Sequence, residues 1–133
     1  MNETVREKTT RDAQIAINYY LKNDEHNVAV LVSAIYADIR LRTLLTDFIS
    51  PSKSKWKQAS EILDELDLGR LLRLCKKNKC LIGKESKNLN ELREMRNKVA
   101  HESLVWKTPK IDEKEKKEEL CKFTIDFLKR TNN

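Results

Sequence analysis

The sequence predicts an all-α fold, a single domain over residues 1–133 built as an up-and-down bundle of four to five helices. Only two glycines and two prolines interrupt the 133 residues, and aromatic residues make up 6% of them. An all-β fold needs turns every several residues, which this composition does not supply. Long stretches of Leu, Ile, Ala, Lys and Glu place apolar residues at helical spacing. The length suits one domain with its own core.

The first two helices are predicted over residues 3–22 and 27–48. The polar segment 23–27 turns the chain between them, and His26 is expected to be an exposed loop histidine. The second helix is the most apolar, so it is predicted to be central and buried on more than one side. Its inward stripe is predicted to contain Val28, Leu31, Val32, Ile35 and Ile39, widened by Ala34, Leu41, Leu45 and Phe48.

The segment from Ser50 to Lys55 is the clearest break in the chain, because it is rich in turn residues and has no periodicity. A short helix follows, and its inward residues are predicted to be Ala59, Ile62, Leu63 and Leu66. Asp67 is placed to cap the next helix. That helix is predicted to bury Leu68, Leu71, Leu72 and Cys75.

Two more helices complete the predicted bundle. A loop over residues 83–88 precedes a helix that begins near Leu89, and Thr108-Pro109 ends that helix. The last helix runs from Ile111 to Arg130 and starts with alternating charges that predict a solvated face. The predicted inward residues of these two helices are Leu92, Met95 and Val99, then Leu120, Phe123, Phe127 and Leu128.

The charge balance allows two interpretations. The formal net charge is +6, which fits an anionic partner such as RNA or DNA. The 21 acidic residues are interleaved with the 27 basic ones, however, which is equally typical of a well-solvated helical surface.

The cysteines and the termini indicate a compartment. Cys75, Cys80 and Cys121 are odd in number and form no Cys-x-x-Cys pair, and only two histidines accompany them, so no metal site is predicted. Free thiols are typical of a reducing compartment, so the chain is expected to be cytoplasmic. The polar N-terminus does not resemble a signal peptide, and no apolar stretch reaches the ~20 residues that span a bilayer.

The side chains best suited to catalysis or ligand binding are those of Arg96, Asn97 and His101. Asn97 and His101 are four residues apart, so on a helix they project from one face. Arg96 lies about 140° from His101 on a regular helix, so a kink or a second subunit would bring the two together more easily. A cation, an amide and an imidazole can together hold a phosphate and move protons.

Four further charged residues are candidate binding residues. Lys98 lies inside the motif. One of the charged residues of the second helix could face the site formed by Arg96 and His101. The spacing favours the alternative that the i,i+4 pair of Asp38 and Arg42 is a partly covered ion pair on the helix surface. The second-helix candidates are Asp38, Arg40 and Arg42.

The run from Leu92 to His101 resembles the signature of the HEPN superfamily, in which an arginine, a polar residue and a few further residues precede a histidine. The matching residues are Arg96, Asn97, Ala100 and His101. The segment 34–45 is similar to the second helix of the mannitol-repressor-like branch and related prokaryotic HEPN domains. The segment 68–75 resembles the helix that precedes the motif in those families. The resemblance covers residues from about 13 to 128 in order.

The resemblance implies a helical bundle that forms a two-fold dimer and acts as a metal-independent endoribonuclease without a cofactor. The motifs of two subunits would meet in one composite cleft and cleave RNA through its 2′-OH. His101 would take the 2′ proton or protonate the leaving 5′ oxygen, Arg96 would bind the scissile phosphate, and Asn97 would orient the imidazole or donate to a phosphate oxygen. Members occur as toxins, in phage defence and in RNA processing, and an antitoxin of nucleotidyltransferase type is a possible partner.

Two alternatives remain open. Some members are noncatalytic modules that bind a nucleotide, a nucleic acid or a partner protein as regulators, in which case Arg96 and His101 would chiefly hold helices together or bind a phosphate without turnover. A purely structural dimer is the other alternative.

Overall fold

The computed structural model describes residues 2–50, 52–105 and 111–133, with side chains described for all of these except 53, 54, 102–105, 111 and 112. The described residues form six helices and no strand, so the predicted all-α class is confirmed, with one helix more than the upper number expected. The helices are α1 (Val5–Lys22), α2 (His26–Ile49), α3 (Lys53–Leu63), α4 (Leu68–Lys77), α5 (Glu85–Val105) and α6 (Ile111–Arg130). No described helix is long and apolar enough to cross a membrane.

Helix α2 is the centre of the bundle, as its composition predicts, because it packs against each of the other five helices. The predicted inward residues are only partly confirmed: Ala34, Leu41 and Leu45 are buried, and Leu31 and Val32 are partly buried against the core, but the other four are not. Val28, Ile35, Ile39 and Phe48 are exposed by 37, 58, 46 and 56%. The buried residues of α2 are Ala29, Val30, Ser33, Ala34, Ala37, Arg40, Leu41, Leu45 and Thr46.

The reason for this difference is the size of the buried side chains. Three of the buried residues in the first half of α2 are alanines and one is Ser33, whose side chain is fully buried. Small side chains let neighbouring helix axes approach closely, and interaxial distance depends on the residues at the contact. The small-residue face therefore packs against its neighbours, whereas the larger aliphatic residues Val28, Ile35 and Ile39 lie outside.

Local capping sets the starts of α1 and α4. The Thr4 side chain accepts a hydrogen bond from the backbone N–H of Glu7 at 3.1 Å. Asp67 accepts one from the backbone N–H of Arg70 at 2.8 Å, which confirms the predicted cap. Such caps satisfy donors that the first turn of a helix leaves without a partner.

The two predicted loops are shorter than expected. Helix α3 begins at Lys53, inside the segment predicted to be a loop, and α5 begins at Glu85 rather than near Leu89. The turn between α4 and α5 uses two residues with positive φ, Lys79 at 60° and Gly83 at 53°. Polar residues are common both in loops and in the solvated first turn of a helix. The polar composition of these two segments therefore did not locate the start of α3 or α5. The predicted stop at residues 108–109 lies outside the described residues.

The three cysteines are free, and burial makes two of them weaker acids than an exposed thiol. Burial raises the pKa of Cys75 to about 12 and that of Cys121 to about 11. Cys80 is only partly buried, and its pKa is raised to a smaller extent. Because the thiolate is the reactive form, we expect iodoacetamide to modify Cys80 first at about pH 8. Mass spectrometry should find Cys75 and Cys121 modified only after unfolding, and fast labelling of either in the native protein would contradict this prediction.

Candidate functional site

Helix α5 presents the Arg-Asn…His motif on a continuous stretch of helix, since it runs without a break from Glu85 to Val105. Its inward face contains Leu89, Leu92 and Val99, which are buried in the core. Asn97 and His101 are exposed on the outward side, and Arg96 is half-buried beside them. The predicted helical geometry of the motif therefore holds, with no kink to bring Arg96 round to His101.

A side-chain hydrogen bond shortens the gap within the motif. The Arg96 guanidinium bends towards its neighbour, and Nη2 donates to Asn97 Oδ1 at 3.1 Å. Asn97 lies one turn before His101 on the same face. The structure thus brings the guanidinium and the amide together, whereas His101 makes no hydrogen bond or ion pair with the other described side chains.

All four candidate binding residues take part in contacts that hold the bundle together. Lys98 forms an ion pair with Glu113, which ties α5 to α6. Arg42 Nε donates to Asp38 Oδ1 at 2.7 Å, and Arg42 Nη2 donates to the Leu66 carbonyl at 2.7 Å. The Asp38–Arg42 pair therefore fits the structural alternative, and it holds the segment that follows α3 against α2.

Arg40 lies in the interior, with only 1% of its surface exposed. Its guanidinium donates to the carbonyl of Leu128 at 2.7 Å and to Thr131 Oγ1 at 2.8 Å. It also donates to the carbonyl of Arg6 at 3.1 Å and to Thr10 Oγ1 at 3.2 Å. These bonds join α1, α2 and the end of α6, so the predicted binding role of Arg40 is replaced by a structural one.

A cleft of about 710 Å³ lies between α4 and the first half of α5. That volume falls within the range of pockets that take small ligands. Its lining is polar and contains more basic than acidic residues. The lining residues are Asp67, Gly69, Leu72, Arg73, Lys76, Gly83, Ser86, Lys87, Asn90 and Arg93.

The cleft is strongly electropositive. Four of its side chains are cations, and none of the four forms an ion pair with a described carboxylate. These cations are Arg73, Lys76, Lys87 and Arg93. Its one carboxylate, Asp67, is engaged as the cap of α4. The pKa of Asp67 is lowered first by the hydrogen bond from the Arg70 backbone and then by nearby guanidinium charges, including those of Arg73 and Arg93.

A glycine shapes the inner wall of the cleft. A Cβ added at Gly69 would lie 3.2 Å from Arg93 Nη1, so the absence of a side chain lets this guanidinium lie against the start of α4. Arg93 Nη2 also donates to Asn90 Oδ1 at 2.9 Å. The guanidinium is thus positioned within the cleft by two neighbours, one on each helix.

The cleft and the motif share one face of α5. Asn90 and Arg93 line the cleft, and Asn97 and His101 continue the same face, at successive spacings of three, four and four residues. His101 follows Arg93 by about 12 Å along the axis, at a rise of roughly 1.5 Å per residue. Sequence reasoning singled out the motif but missed Arg73 and Arg93; the regular spacing of polar residues along α5 was the available signal.

The second histidine lies elsewhere. Contrary to expectation, His26 is the first residue of α2, and its side chain is only 12% exposed. Its Nδ1 lies 3.3 Å from Asp24 Oδ1, and its Nε2 lies 3.9 Å from Glu118 Oε2. Within the described part of the chain, no group of three or more His, Cys, Asp or Glu side chains is placed to bind a metal ion.

Comparisons of the chain with models of known protein families, with curated proteins and with solved structures found no match.

Proposed function

We propose that this protein is an endoribonuclease of HEPN type that cleaves RNA through attack of the ribose 2′-OH. The observation that supports the proposal most is the arrangement on α5, where an exposed imidazole follows a hydrogen-bonded guanidinium and amide by about one turn. The resemblance of Arg96, Asn97, Ala100 and His101 to the HEPN signature gives that arrangement its chemical interpretation.

In the proposed reaction the 2′ oxygen forms a bond to phosphorus while the bond from phosphorus to the 5′ oxygen breaks. His101 of one copy accepts the 2′ proton, and His101 of a second copy donates a proton to the leaving 5′ oxygen. The Arg96 guanidinium binds the phosphate and opposes the negative charge that grows on its oxygens. The products are a 2′,3′-cyclic phosphate and a 5′-hydroxyl end.

The proposal includes a homodimer, because a single α5 provides one imidazole. The exposed aliphatic residues on the outer face of α2 support a second copy as a partner, since exposed apolar patches on soluble proteins commonly mark interaction sites. Val28, Ile35 and Ile39 follow one another at spacings of seven and four residues, so they lie along one face of that helix.

We expect Ile35→Glu to convert the dimer to a monomer and to abolish cleavage together. Burying an unpaired carboxylate costs several kcal/mol, so the dimer dissociation constant should rise at least about 100-fold. Analytical ultracentrifugation of wild type and variant measures the shift. Ile62→Glu is the matched control, because Ile62, contrary to its predicted inward position, is 70% exposed on α3. An Ile35→Glu variant that stays dimeric would remove α2 from the interface.

The direct test of the proposed activity uses purified protein and a labelled single-stranded RNA. We expect cleavage to continue in the presence of EDTA and the new 3′ ends to carry a cyclic phosphate. The same sequence made as DNA should stay intact, because DNA lacks the 2′-OH. If the RNA stays intact at high enzyme concentration with the dimer verified, the nuclease proposal fails.

One observation favours a second candidate function, a noncatalytic module that binds RNA. No described side chain holds the His101 ring in a fixed orientation, whereas catalytic histidines are usually oriented by a partner. Retention of RNA that depends on Arg96, without cleavage by the wild type, would support this function instead.

A further inference from the structure

The cleft between α4 and α5 carries more positive charge than the bundle uses for its own stability. Its cations come from two helices, and they surround a space large enough for a ligand. Arg73 and Arg93 extend from α4 and α5, and Lys76 and Lys87 complete the set. Elsewhere on α5, Glu91 pairs with Lys116 at 2.8 Å, whereas these four cations lie around one shared space that contains a single carboxylate.

We infer that this cleft binds the phosphates of single-stranded RNA and leads the strand along α5 to His101. This inference rests on the proposed function, and it names a binding site that the motif itself does not include. An anionic occupant fits the cleft, because four cations and only one carboxylate line it. Phosphate contacts of this kind position a strand without reading its sequence.

The direction of the strand follows from the geometry of α5. Asn90 and Arg93 line the cleft, and Asn97 and His101 lie on the same face further along the helix. A strand whose phosphates lie in the cleft therefore reaches His101 within a few nucleotides, since Arg93 and His101 are about 12 Å apart along the axis. Asn97 offers its amide N–H groups to phosphate or sugar oxygens on the way, whereas the Asn90 amide already donates to Glu94 Oε1 at 3.3 Å.

Two features keep the cleft available for such a strand. Asp67, the one carboxylate in the lining, already accepts the backbone N–H of Arg70 and so serves the start of α4. Gly69 leaves room for the Arg93 guanidinium, which is further oriented by Asn90. Lys87 also lies near Glu91, but the pKa of Glu91 is lowered first by its hydrogen bond with Lys116, so Lys87 is not the main partner of that carboxylate.

The test is RNA binding measured apart from cleavage. The probe is a short fluorescein-labelled 2′-O-methyl RNA, which lacks the 2′ nucleophile and is therefore not cut. The variant is Lys76→Ala with Lys87→Ala, and its matched control is Lys8→Ala with Lys57→Ala, which removes two exposed lysines from α1 and α3. Fluorescence anisotropy gives the dissociation constant as a function of salt concentration.

We expect the cleft variant, and not the control, to bind the probe more weakly. At about 0.1 M salt each phosphate contact contributes roughly fivefold, from a single-strand salt slope of about 0.7 per contact. Two lost contacts should therefore weaken binding about 25-fold and reduce the slope of log K against log salt by about 1.4. Arg73→Gln and Arg93→Gln should each add a similar loss. Thermal unfolding of every variant checks that the fold is kept.

The outcomes separate this inference from the proposed activity. Equal affinity of the cleft and control variants for the probe overturns the inference that the cleft binds RNA, whether or not the wild type cuts RNA. A selective loss of binding in the cleft variant, with no cleavage by the wild type, overturns the nuclease and leaves the cleft as an RNA-binding site. Cleavage of RNA that is unaffected by the cleft variant at low substrate concentration overturns the cleft alone.

Discussion

His101→Ala should reduce the rate of RNA cleavage by about 10²–10⁴-fold, the usual contribution of general acid–base catalysis. This corresponds to about 3–5 kcal/mol of transition-state stabilisation, at about 1.4 kcal/mol per tenfold change in rate. The loss is expected in single-turnover measurements, in which product release does not limit the rate. Because both copies of the dimer carry the change, the base and the acid are removed together.

The structure allows this loss to be separated from unfolding. His101 is exposed on α5 and makes no hydrogen bond with the described side chains, and alanine has a higher helix propensity than histidine. The unfolding midpoint of His101→Ala should therefore equal or slightly exceed that of the wild type, and RNA retention should persist. Arg96→Ala should instead weaken retention, because it removes a phosphate-binding guanidinium. A His101→Ala variant that cuts RNA at the wild-type rate would contradict the assigned role.

Expression in cells gives an independent measurement. A nuclease of the proposed type should slow growth when it is induced, and His101→Ala should relieve that effect at equal protein level. Equal growth of wild type and variant, together with intact cellular RNA, would favour the binding module over the nuclease.

Sequence periodicity predicted the fold class, the centrality of α2 and the burial of Leu41 and Leu45, but it did not predict which face is buried in the first half of α2. A periodicity argument gives most weight to large aliphatic residues, and it therefore assigned Val28, Ile35 and Ile39 to the interior. In that half the structure buries mainly alanine and serine instead, because five neighbouring helices approach α2 and small side chains allow close contact. The number of neighbours is a tertiary property that no window of sequence contains.

One part of the candidate site could likewise be predicted from the sequence, and another part could not. The spacing of Arg96, Asn97 and His101 is local to one helix, so their relative placement could be predicted from the helical repeat. The cleft could not, because it depends on how α4 lies against α5 and on the space at Gly69. The structural role of Arg40 could not be predicted from the sequence either. Two of its four acceptors are backbone carbonyls from opposite ends of the chain, and carbonyl groups have no sequence signature.

Arg40→Ala should lower the free energy of unfolding by roughly 3–5 kcal/mol, because the change removes a buried side chain that makes four hydrogen bonds, opens a cavity and leaves the acceptors without a donor. Burial and the nearby charge of Arg6 lower the pKa of Arg40 to about 10, so the guanidinium still carries its charge at neutral pH. Its hydrogen bonds to the carbonyls of Leu128 and Arg6 join the first helix to the last. Urea denaturation of wild type and variant measures the loss.

Two further variants separate the contribution of the hydrogen bonds from that of side-chain volume. Arg40→Met fills most of the space but donates nothing, so its loss should fall between those of wild type and Arg40→Ala. Arg11→Ala is the control for removing an arginine, since Arg11 forms only exposed ion pairs, and its change should stay within about 0.5 kcal/mol. If Arg40→Met is as stable as the wild type, packing rather than hydrogen bonding holds the two chain ends together at this point. If Arg40→Ala loses no more than Arg11→Ala, Arg40 does not stabilise the bundle at all.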